Sequence, residues 1–257
     1  MALSLYVKPK PDSATAKHSP KYKDFLFGGT VTLYVGRYED RMEIHKKLLA
    51  GLSPELNKHV YNNMREGTEG TIRFPDEEVE TVTHFTEWAY TGEYALDGDT
   101  PPANTRSHTA PKRVPWLNLY RHLQIYAFSD KFNIPILKQL AESKFHSEIN
   151  PLYPDGSKDV AGLVKLISYA YDNLPGSDPI LKFLTQYASW MLELLRPSKR
   201  FNKLMLARPE FLKDLLMNLK GPSTKPTARA LQIHPMIYGR EERHVSYYPS
   251  VPVRAKP

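Results

Sequence analysis

The chain predicts an α+β fold, a small three-stranded sheet with a helical cluster followed by additional C-terminal helices. Three observations predict it. The run "GGTVTLYVG" (28–36) is β-branched, bounded by glycines, and followed after "RYED" by "RMEIHKKLL", which reads as a hairpin whose second strand feeds straight into a helix. "GTIRF" (70–74) supplies a third short strand. From residue 76 onward, apolar residues recur at three- and four-residue spacing, the helical period.

The elements follow in order. "LSPELNKHV" places Ser53 at an N-cap and Pro54 at the first helical position, where proline's missing N–H costs nothing. The next helix is expected to be capped by Asp76, with Glu77 and Glu78 at the positive end of its dipole. Val79, Val82, Phe85 and Trp88 line its apolar face, and Gly92 supplies the left-handed residue that closes it. Residues 97–115 hold four prolines and read as an exposed insertion. "LNLYRHLQIYAFSDKFNIPILKQLAESKF" reads as two helices split at Pro135, because the residue before proline avoids the helical region. "DVAGLVKLISYAYDN" sets Val160, Leu163, Val164, Ile167 and Ala170 on one face. "DPILKFLTQYASWMLELL" reads as a single helix apolar on two sides, the second carrying Phe183, Tyr187, Trp190 and Leu194, a pattern expected between neighbours. "RPEFLKDLLMNL" is a final short helix.

Composition narrows the function classes. Of 257 residues, 41% are hydrophobic, ample for a core. No cysteine occurs, which removes disulfides, thiolate nucleophiles and cysteine-based metal sites. No run approaches the roughly 20 apolar residues of a membrane span, and the N-terminus lacks a signal-peptide pattern. The net charge of +7 is unevenly spread: residues 1–27 carry +3, residues 220–257 carry +5, and the remainder is −1. A basic groove on the folded part is therefore not expected, which argues against nucleic acid as the partner. The nine histidines are scattered, without a His-Glu-x-x-His pair. No Gly-x-Ser-x-Gly elbow or phosphate loop occurs. The expectation is a protein with no catalytic, cofactor-binding or metal-ligating residues.

The run "VTLYVG…MEIHKKLLAGLSPELNKHV…GTIRFPDEEVETVTHFTEWAYTGEY" resembles a BTB/POZ domain. "LQIYAFSDKFNIPILKQLAESKF" is similar to that family's next helix pair. "ISYAYDNLPGSDPI" within the later helices looks like the C-terminal extension of fungal-type BTB proteins. The resemblance implies a flexible N-terminal segment at 1–27, a BTB/POZ-like domain at 28–149 interrupted by the 97–115 insertion, a helical extension at 150–219 and a basic, Pro-rich tail at 220–257. It implies a structural core containing His45, Phe85, Trp88, Tyr90 and Gly92, with His45 bonding backbone at the strand-to-helix junction.

The function it implies is non-enzymatic protein–protein interaction, as a scaffold or oligomerisation module inside the cell, in nucleus or cytoplasm. Two alternatives stay open: a substrate adaptor of a cullin-type ubiquitin ligase, and a transcriptional or chromatin-associated factor acting through basic tails. Tyr34 and Lys46 are the candidate self-association residues. Thr30 stands where the family has an Asp that pairs with the basic residue after the histidine, which places the usual homodimer in question. Leu96, Asp97 and Tyr120 are the candidate partner surface, Leu96 and Asp97 loosely matching the family's cullin-contact motif.

Overall fold

A computed structural model of the chain describes residues 20–61, 70–96, 115–154 and 156–219. Nearly all of the insertion, Asp97 and the 220–257 tail lie outside the described residues.

The hairpin forms as expected: β1 (Thr30–Val35) runs antiparallel to β2 (Asp40–His45), with Thr30 opposite His45 and Leu33 opposite Met42. Gly36 and Glu39 take left-handed φ in the connecting turn, a conformation open to Gly at no steric cost. β3 (Thr71–Phe74) lies parallel to β1 on its other side, giving the order β2-β1-β3. The two-residue period sends Val31, Leu33, Val35, Ile44, Ile72 and Phe74 into the core, while Thr32, Tyr34, Arg41 and Arg73 take the opposite face.

Between β2 and β3 lie α2 (Lys46–Leu52) and α3 (Pro54–Tyr61). Ser53 Oγ accepts the Leu56 N–H at 3.0 Å, the expected cap. α4 (Val79–Thr91) starts later than the sequence implies: its N-cap position is Glu78, which makes no side-chain capping bond, and not Asp76. The reason is a turn, in which the Glu77 N–H bonds to the Phe74 carbonyl at 3.3 Å and delays the first helical turn. The other end is as expected, with Gly92 at φ 80° donating its N–H to the Trp88 carbonyl at 2.8 Å.

α5 (Pro115–Lys131) is the central helix. Its residues from Leu119 to Ser129 are buried apart from Tyr120 and Arg121, the all-round burial of a helix inside a domain. Phe74, Phe85, Phe128 and Phe132 meet there with centroids 4.6–6.1 Å apart, and tilted aromatic pairs add to the area they bury. The insertion stops short of the expected 115, since Pro115 is already the first residue of α5. α6 (Pro135–Ile149) follows the break at Pro135.

α7 (Ser157–Asn173) packs on α5. Trp116 lies flat on Gly162, where any Cβ would collide with the indole, and Trp116 Nε1 donates to Asp159 Oδ1 at 2.6 Å. Asp178 caps the next helix, α8 (Pro179–Trp190), by accepting the Ile180 N–H at 2.9 Å. The expected single helix to Leu195 is broken: Met191, at φ −87° and ψ 9°, separates α8 from α9 (Leu192–Leu195). Trp190 is 61% exposed, so the second apolar stripe is only partly covered.

Two helices escaped the sequence reading. α10 (Lys199–Ala207) is capped by Ser198 and buries only Phe201 and Leu204, before α11 (Pro209–Asn218) ends the described chain. α1 (Tyr22–Phe25) lies inside the segment read as flexible, and its Phe25 is buried against His45 and Tyr90. The packed structure therefore begins before residue 28.

Candidate interaction surfaces

Phe85 and Trp88 are buried and Tyr90 packs half-buried against the core. His45 is half-buried and bonds a side chain, not the expected backbone group. Its Nδ1 lies 2.7 Å from Tyr90 Oη, which also accepts the His45 backbone N–H at 3.1 Å. The segment after Gly92 turns inward. Tyr94 is 2% exposed and its hydroxyl lies 2.7 Å from His122 Nδ1. Leu96 is likewise 2% exposed, so it is a core residue and not part of a partner surface. Nothing in the residues themselves flagged this, because the segment is too short to show a period.

The self-association candidates have separate neighbours. Tyr34 lies under the Arg73 guanidinium at 5.1 Å, a cross-strand pair on the outer face of the sheet. Lys46 is half-buried with its side chain over Gly70. Thr30 donates its hydroxyl to Glu43 Oε2 at 3.3 Å. Lys46 has no ion pair among the described residues. The charged pair that the resemblance implies is absent from the described residues.

Tyr120 does reach a surface feature. Its ring meets Tyr169 edge-on at 5.1 Å, and the Lys165 ammonium sits 3.5 Å from its centroid. Lys165 stands between two clefts of opposite sign. On the Tyr120 side is a cleft of about 350 Å³ between the start of α4, α5 and α7, where Asp76, Glu77, Glu78 and Asp130 face a single ammonium, Lys131. Burial raises the Tyr169 and Tyr120 hydroxyls above their ordinary pKa, and Glu77 and Glu78 add to it.

On the other side, α7 and α10 enclose a groove of two adjoining parts, about 560 and 670 Å³, that share Ala161 and Arg200. Val160, Val164, Leu194 and Leu204 make its floor apolar, and Lys158, Lys165, Lys199, Arg200 and Lys203 rim it, with no carboxylate in the lining. None of the five cations makes an ion pair among the described residues. This overturns the expectation that the folded part carries no basic groove. Near-zero net charge summed over faces of opposite sign conceals both.

Among the described residues, no three His, Asp or Glu side chains are placed to hold a metal ion, and no helix is long and apolar enough to cross a membrane. Neither a known protein-family model nor a curated protein sequence matches the chain.

Proposed function

We propose that the chain is a non-enzymatic protein–protein interaction module with a BTB/POZ-like fold, and that the α7–α10 groove docks an acidic, amphipathic segment of a partner protein. The groove carries this reading. An apolar floor rimmed by cations that make no ion pair among the described residues matches a helix with leucine-type residues on one face and carboxylates along its edges. A polyphosphate backbone would use the cations and leave the floor unused.

The test is fluorescence anisotropy with a labelled acidic amphipathic helix and a scrambled peptide of identical composition. The ordered peptide binds more tightly than the scrambled one, and Arg200→Glu/Lys203→Glu removes the difference. Equal binding of both peptides and of duplex DNA contradicts the reading, because that is the behaviour of a general polyanion site.

A second reading, the cullin-ligase adaptor, draws on the direct packing of α7 against α5, which makes the extension continuous with the BTB-like core. Light scattering on the chain mixed with a cullin N-terminal fragment separates the two. A larger complex supports the adaptor, and an unchanged mass removes it.

A further inference from the structure

The acidic cleft has a floor that surface acidity does not account for. Gln124 is 7% exposed and Thr81 3% exposed, both line the cleft, and neither side chain has a hydrogen-bond partner among the described residues. Polar groups in the wall of a protein are nearly always bonded, to protein, to water or to a ligand. The Gln124 carboxamide is held in the wall of the cleft by α5 and stays accessible to what enters it.

The carboxylates above it fall into two classes. Glu77 is held by Lys131 at 2.7 Å and Asp130 by Lys138 at 2.6 Å. Asp76 and Glu78 are exposed and make no ion pair among the described residues, and Glu78 does not spend its side chain on capping α4. Two carboxylates without an ion pair among the described residues thus line the same cleft as this amide. The carboxylates do not converge as metal ligands would.

We propose that this cleft receives the guanidinium of an arginine side chain on an extended basic segment of a partner protein. A guanidinium presents five N–H donors in a flat fork, enough to meet two separated carboxylates and an amide oxygen at once, whereas an ammonium is a compact charge with three. The Tyr120 and Tyr169 rings line the cleft, and Tyr120 already carries the Lys165 cation, so the aromatic wall accepts positive charge. The cleft volume of about 350 Å³ lies at the small end of ligand sites, matching one long side chain. The site lies across Lys165 from the α7–α10 groove and does not depend on it.

The test uses the full chain and two blocked, labelled hexapeptides, Gly-Arg-Gly-Arg-Gly-Arg and its lysine counterpart, over a range of salt concentrations. The arginine peptide is expected to bind about tenfold tighter than the lysine peptide. The exposed pair Asp76→Asn/Glu78→Gln weakens it by about tenfold, and Gln124→Met erases the preference for arginine. Melting curves establish that each variant is folded. If the Gln124 variant is not, the Asp76/Glu78 variant decides alone. Equal binding of both peptides overturns the proposal, as does no binding at millimolar peptide or indifference to the Asp76/Glu78 change. Lys203→Glu, in the groove, leaves arginine-peptide binding intact, so the two readings fail separately.

Discussion

Tyr90 Oη stands 2.7 Å from His45 Nδ1 while accepting the backbone N–H of the same residue at 3.1 Å. One hydroxyl thus ties the end of β2 to the last turn of α4, at the point where the chain changes from strand to helix without a loop. Phe25 closes over the pair, its ring 5.3 Å from His45 and 5.9 Å from Tyr90. Tyr90→Phe keeps the ring and removes both bonds. It is expected to cost about 1–2 kcal/mol in urea unfolding, the range for a part-buried hydrogen bond whose partner is left unmet. Tyr22 bonds the Tyr90 backbone carbonyl and is unaffected by the change.

Asp178 is a carboxylate used three ways in the helical extension. It is 5% exposed and accepts from Tyr126 Oη at 3.0 Å, Lys138 Nζ at 3.1 Å and the Ile180 N–H. Burial by itself would depress the Lys138 ammonium, but its bonds to Asp130 and Asp178 outweigh that and raise it. Asp178→Ala leaves the Tyr126 hydroxyl unmet and the helix uncapped while Lys138 keeps Asp130, and is expected to cost roughly 2–4 kcal/mol. Asp178→Asn keeps an acceptor for the cap and loses less. Denaturant melts of the three proteins order them wild type, Asn, Ala.

His84 makes stability depend on pH. Burial holds its imidazole below the ordinary 6.5, Glu87 opposes this, Arg121 reinforces it, and Glu80 also opposes it. Tyr94 is the ring that faces it. The unfolded chain therefore takes up this proton more readily than the folded one. The contribution is complete above pH 6.5 and is lost as pH falls below that toward the folded value. Unfolding free energies measured from pH 7.5 to 5.5 should fall more steeply for wild type than for His84→Gln.

Gly162 and Trp116 form a contact with a sign test. In an ordinary helix, Gly→Ala stabilises by about 1 kcal/mol. Here the added methyl meets the indole, and overpacking typically costs about 1–3 kcal/mol. Gly162→Ala should destabilise the protein and shift the Trp emission. In a Trp116→Ala background the same change should become stabilising.

Local signals were the legible part of this fold. Ser53-Pro54, Gly92 and Pro135 act on their own backbone neighbours, so their positions translate directly into helix ends. Features set by summation over space were not legible. α10 buries only two apolar residues, too few to show a period. Tyr94 is held by His122 of α5 and Lys144 of α6, which follow it in the chain. The two charged clefts cancel in the net charge, although Lys158, Lys165, Arg200 and Lys203 share one groove. Gln124 reads as one polar residue in an apolar helix, and only the packing of α4 and α7 around it turns it into the wall of a cleft.

The groove reading is tested most directly by amide hydrogen exchange on the full chain, with and without saturating acidic amphipathic helix. The account predicts slowed exchange over 158–168 and 199–207 and no change over β1, β2 and β3. Protection confined to the sheet, or no protection at saturation, would contradict it.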